Sequence, residues 1–172
     1  MDIVIKPLDK ISATGIVGID LIEYQPILSF EMLDLAPYLY KGLIIKEKEF
    51  KDGMEKIDWT KYRDKAVSIS CTFDAIIPQW VYMYITGKLH PYASSVSFGN
   101  QKEHEIDLWK KNLRQANFKQ YREKKVVLKA DSRVPDTIYV EASTLLISNK
   151  VLSLLYGEVG MPKVIYKQID KL

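Results

Sequence analysis

The chain has one cysteine, two histidines, only eight glycines and a net charge of no more than +3. Each shortage excludes something. A single thiol, Cys71, closes no disulfide within the chain, so no oxidising compartment is implied. His90 and His104 lack metal-ligand spacing such as HExxH, and no metal is assigned. His104, in Glu103-His-Glu105, is expected on the solvent side of a helix. Neither GxGxxG nor GxxxxGK[ST] occurs, so no nucleotide or other cofactor is assigned. The apolar stretches 145–147 and 152–156 fall far short of the ~20 residues that span a bilayer. The first dozen residues carry acidic groups and no apolar core, unlike a secretory signal. A soluble, cytoplasmic protein without a membrane partner is the expectation.

What is present fits a globular chain. At 172 residues with 47% hydrophobic content, a single domain 1–172 with its own core is expected. Its centre is a passage written twice, at 57–100 and again at 116–158. Tyr62-Arg63 matches Tyr121-Arg122, Val67 matches Val126, and Pro78 matches Pro135. Tyr82 then matches Tyr139, and Phe98-Gly99 matches Tyr156-Gly157. Residues 66–99 and 125–157 are therefore expected as strand–helix–strand units, with Trp80 and Tyr84 between helix and sheet.

Around this repeat, 15–21 and 27–32 look like two short strands of an N-terminal hairpin, joined by a turn at 23–26. A helix is expected from Asp34, as its cap, to Gly42. Phe50, Met54 and Ile57 recur at helical spacing on an otherwise charged segment. The segment beginning at Pro78 is apolar over much of its circumference, which predicts a well-buried helix. Asn100 to Glu103 resembles a capping box before a helix with Ile106, Trp109 and Leu113 inward. A last strand, 163–167, is expected at a sheet edge or in an antiparallel pair. The order of strands and helices predicts the α/β class: one domain with a largely parallel sheet on a duplicated βαβ unit.

Several passages, KGLIIKEKEF, DAIIPQWVYM, IYVEAS and the terminal PKVIYK, carry a resemblance over nearly the whole chain. It resembles domain-of-unknown-function family 2480, proteins of Bacteroidetes-type bacteria with no assigned activity. The resemblance implies Gly-Cys where Ala130-Asp131 stands and a cysteine near Gly160. This chain departs at both places, so a thiol- or metal-based role does not carry over to it.

In a parallel sheet, ligands bind beyond the carboxyl ends of the strands. That rule selects the loops after the first strand of each repeat, with Thr72 and Asp74 in one and Asp131, Ser132 and Arg133 in the other. A small anionic ligand there would use Arg133 and helix N–H groups. Both aspartates are also ordinary turn and cap residues. Cys71 ends an apolar strand with no histidine nearby in sequence, and reads as a small buried hydrophobe. The basic residues Lys119, Arg122, Lys124, Lys125 and Lys129 alternate with Phe118 and Tyr121, a pattern also seen on nucleic-acid faces. The matching Trp59, Tyr62 and Lys65 favour core aromatics beside solvated charges, and nucleic acid is not assigned as a partner. Two functions stand side by side. One is a non-catalytic module binding a ligand, a partner or a second copy of itself. The other is an enzyme working at the carboxyl edge with Asp74 and Asp131. A polar pocket with a perturbed carboxylate favours the enzyme, and an exposed apolar patch favours the module.

Overall fold

The computed structural model describes residues 10–11, 15–158 and 160–169. In chain order its elements are β1 (Lys10–Ile11), β2 (Ile16–Ile19), β3 (Phe30–Asp34), α1 (Glu47–Met54), β4 (Ala66–Ser70) and α2 (Gln79–Leu89). Then follow β5 (Ser95–Phe98), α3 (Gln101–Gln115), β6 (Lys125–Leu128), α4 (Asp136–Ser148), β7 (Ser153–Tyr156) and β8 (Lys163–Lys167). The class is α/β, but the strands form two sheets. One is all parallel in the order β3-β4-β5. The other runs β1-β2-β6-β7-β8, parallel through β2, β6 and β7 and antiparallel at both ends. The chain divides into two compact units accordingly, Ile27–Glu105 and Met1–Pro26 with Ile106–Leu172.

The expected N-terminal hairpin between 15–21 and 27–32 does not form. β2 pairs antiparallel with β1 and parallel with β6, whereas β3 pairs with β4 in the other sheet. The cause is local. Asp20 accepts the Ile22 N–H at 3.1 Å and opens a 3₁₀ turn, Leu21–Tyr24, whose Leu21 and Tyr24 are buried. The chain is thereby anchored after β2 instead of reversing. The helix expected from Asp34 to Gly42 shrinks to a 3₁₀ turn, Ala36–Tyr38. Pro37 sits in the first turn, where it is tolerated, but Leu39 is already extended and Lys41 and Gly42 both take positive φ, 53° and 71°.

In the 27–105 unit, Leu33, Val67 and Ile69 of the sheet meet Phe50 and Met54 of α1 and Val81, Ile85 and Leu89 of α2. α2 is less buried than its composition predicts. Met83 is 75% exposed, and Trp80 and Tyr84 are half-buried, with Phe50 edge-on to their rings at 5.7 and 6.1 Å. They fill the seam between α1 and α2 and not the space between helix and sheet. In the other unit, Val17, Ile19, Val126, Leu128 and Leu154 pack with Trp109 and Leu113 of α3 and Ile138, Ala142 and Leu146 of α4. The Trp109 indole N–H donates to the Leu21 carbonyl at 3.0 Å, tying α3 to the turn after β2. Of the capping box expected before α3, the Asn100 half is present: its side-chain oxygen accepts the Glu103 N–H at 2.9 Å. β8 lies at its sheet's edge, antiparallel to β7.

Candidate functional site

At the carboxyl edge of the 27–105 unit, the organising group is one that the sequence suggested only as a cap. The Asp34 carboxylate accepts the Ala36 N–H at 3.0 Å, the Thr72 N–H at 3.0 Å and the Thr72 hydroxyl at 2.9 Å. Desolvation opposes its ionisation, but the N–H groups of Ala36, Thr72 and Leu35 and the Thr72 hydroxyl outweigh it and hold the carboxyl below its usual range. Thr72 is thus committed to bracing two loops together. Asp74 stands exposed in the loop beyond it. Cys71, expected to be buried, is only half-buried and packs against the apolar core.

At the corresponding edge of the other unit, Asp20 ends β2 and pairs with Lys129 at 3.2 Å. Asp131 accepts both the Arg133 backbone N–H at 2.9 Å and its guanidinium at 2.6 Å. The guanidinium bond comes first and the backbone bond second in holding the Asp131 carboxyl at about 2. Arg133 is held to its own loop through Nε and Nη2, which partly neutralises the charge it could offer an anion. Ser132 is exposed. Tyr139 fastens this loop: its hydroxyl donates to the Lys129 carbonyl at 2.9 Å and accepts the Asp131 N–H at 2.9 Å. Beside it lies a cavity of about 330 Å³ lined by residues that include Asp136, Tyr139, Ser143, Tyr156 and Ile165. Asp131, Ser132 and Arg133 do not line it. Thr72 with Asp74 and residues 131–133 therefore belong to different units, each loop with partners of its own.

His104 corrects the sequence reading outright. It is only 3% exposed, with Nδ1 3.0 Å from the hydroxyl of fully buried Ser68 and Nε2 2.8 Å from that of Ser95. Phe30 meets the ring edge-on at 5.8 Å. The stripe Ile106, Trp109 and Leu113 belongs to the other unit's core, so the first turn of α3 turns a different face inward. Helical spacing follows a single stripe and gave no sign of this second one.

A further group was missed because it lies in loops. Tyr40 and Ile44 form an antiparallel bridge, and Ile44 and Ile76 a parallel one. The Phe73 ring comes within 3.4 Å of where a side chain on Gly42 would begin. These contacts gather Leu43, Ile44, Phe73 and Ile76 into one apolar surface, on which Leu43 is 62% and Ile76 82% exposed. Lys46 and Lys41 border it, their ammonium groups 3.3 and 5.5 Å from the Tyr40 ring centre. The one available signal was the apolar run Leu43-Ile44-Ile45 after Gly42, too long for a solvated turn.

No helix among the described residues is long and apolar enough to cross a membrane. Nor do the described residues contain a cluster of side chains able to hold a metal ion. Parallel strands crossed by helices, with braced loops at their carboxyl edges, define a mixed α/β protein. The chain belongs to the family described as protein of unknown function, DUF2480, whose model matches residues 6–168. No curated protein and no solved structure matches it.

Proposed function

We propose that the protein is a non-catalytic binding module that docks a protein partner on the apolar surface of Leu43, Ile44, Phe73 and Ile76. The observation that carries this reading is the exposure of four large apolar side chains, of which Ile44 and Ile76 are joined by a backbone bridge and Leu43 and Phe73 flank them. Scattered exposed apolar residues need no explanation, whereas a contiguous and rigidly backed group marks an interaction site. Lys46 is paired with Glu49 at 3.2 Å, which leaves Lys41 as the bordering charge, so the complementary partner is a segment whose apolar side chains lie next to a carboxylate. The enzyme reading has less support. Asp131 is held ionised by Arg133, and a carboxylate with so low a pKa exchanges protons poorly near neutral pH. A cytoplasmic setting suits a chain whose one thiol has no partner within it.

Common features of the two units support their origin by duplication. Tyr82 meets Phe98 edge-on at 5.1 Å and Tyr139 meets Tyr156 at 5.5 Å, at matched positions. Asp64 and Glu123 share a positive φ of 60° and 59°, each just before the central strand of its unit.

The test uses Leu43→Asp with Ile76→Asp. Both positions are exposed, so folding measured by circular dichroism is expected to be unchanged. A partner captured by the wild type is expected to be lost by the double variant and to protect amides 40–44 and 72–77 from hydrogen exchange. A partner held equally by the variant, or one protecting other segments, would sink the reading.

A further inference from the structure

The sheet of the 27–105 unit ends differently from its counterpart. β7 in the other unit has its outer edge covered by β8, antiparallel, with Leu154 opposite Tyr166 and Tyr156 opposite Lys163. β5 holds the matching place after its helix, yet no strand among the described residues pairs with its outer edge. An open edge offers a row of free N–H and C=O groups, and proteins usually blunt it with charge or proline. The edge strands β3 and β8 are blunted in this way, by Glu31 and Asp34 and by Lys163 and Lys167. β5 reads Ser95-Val96-Ser97-Phe98, and the run 91–101 around it contains no charged residue.

The flank of this edge is apolar. Val96 and Phe98 are register partners of Val67 and Ile69 and so lie on the α2 face of the sheet. Phe98 is 68% exposed and rests on Tyr82, while Met83 projects from α2 into solvent. The exposed positions of α2 are Gln79, Met83, Thr86 and Gly87, none charged, and its one lysine, Lys88, is paired with Glu55 of the same unit at 2.6 Å.

We infer that β5 is the interface for a second copy of this chain, paired antiparallel across a twofold axis normal to the sheet. Self-association is the occupant that the charge pattern selects. A foreign partner would commonly be chosen by opposite charge, whereas a surface that meets itself must avoid like charges facing each other. Such an axis keeps both α2 helices on one face. Same-face residues must then oppose each other, which puts Val96 opposite the second copy's Phe98 and Ser97 opposite its own counterpart. The result is a continuous sheet of six strands, in which Phe98 and its counterpart sit diagonally across the axis. The strand is short, so the dimer is a modest one, populated at micromolar and higher concentrations.

Sedimentation equilibrium of the full chain over ~1–300 µM, a range suited to a small interface, reads this directly. The wild type is expected to dimerise. Phe98→Lys and Phe98→Glu are each expected to raise the dissociation constant at least tenfold without altering the circular dichroism spectrum. Mixing the two variants is expected to restore the dimer, because the diagonal charges are then opposite. Met32→Lys, on the β3 edge, is expected to leave it intact. A wild type monomeric throughout, a dimer indifferent to Phe98→Lys, two folded variants that do not recombine, or disruption by Met32→Lys would each overturn the inference.

Discussion

Replacing Ser68 by alanine tests the buried histidine cluster most sharply. The side chain lies at 0% exposure on β4, its oxygen 3.0 Å from His104 Nδ1. Alanine creates almost no cavity, so the packing loss is minor. What it removes is a hydrogen-bond partner that water cannot replace at a fully enclosed site. Leaving a buried polar group without its partner costs about 1–3 kcal/mol. Ser95→Ala breaks the other bond, at 2.8 Å, from a half-buried position where water can take over. Its cost is therefore nearer the net worth of one hydrogen bond, about 0.5–1.5 kcal/mol. Urea unfolding followed by tryptophan fluorescence reports on this unit through Trp59 and Trp80, and hydrogen exchange of β4 amides localises the effect. For a chain of this length, each kcal/mol lowers the melting temperature by about 2–4 °C. Combining Ser68→Ala with His104→Leu adds a diagnostic, since losing both partners is expected to cost less than the two losses summed, by about 0.5–3 kcal/mol. A neutral Ser68→Ala, or a Ser95→Ala more damaging than Ser68→Ala, would refute the reasoning.

Three further outcomes are expected. Arg133→Ala returns the Asp131 carboxyl from about 2 towards its ordinary value, read by NMR titration of that carboxyl. Because the folded-state value is depressed, the pair's contribution is present above the ordinary carboxylate pKa and fades as pH falls towards about 2; an unmoved midpoint would show that Arg133 is not the cause. Glu123→Gly relieves a left-handed residue at φ 59°. The conformational gain of about 1–2 kcal/mol exceeds the added chain entropy of about 0.5–1, so net stabilisation is expected in thermal melts, smaller for Asp64→Gly because aspartate tolerates the region better. Gly157→Ala, at φ 118° with Pro162 at an ordinary 3.9 Å, is expected to destabilise by about 1–3 kcal/mol through backbone strain alone, and an unchanged melting temperature would contradict it.

Much of this protein was decided locally and is visible in the residues. Phe50 and Met54 are buried because their spacing puts them on one face of α1, whatever that face meets. Asn100 caps α3 because its oxygen reaches an N–H three residues ahead. The matched Tyr62 and Tyr121 are core residues at matched strand entries, as their apolar rings require. The carboxyl-edge rule selected the loops after β4 and β6, where Thr72, Asp131 and Arg133 are engaged in holding those loops together.

Other properties are settled only when distant segments meet. The alternation within 15–21 and 27–32 signals strands but cannot name their partners. β2 buries Val17 and Ile19 only beside β6, and β3 buries Leu33 only beside β4, in sheets assembled from far along the chain. His104 is inside because Ser68, 36 positions away, offers it a hydroxyl there. Sequence spacing within one helix carries no information about that bond. Whether an apolar side chain is core or surface is likewise a property of the neighbours it receives. Ile85 and Met83 lie two residues apart on α2, one fully buried and the other mostly exposed, because the sheet covers only one side of the helix.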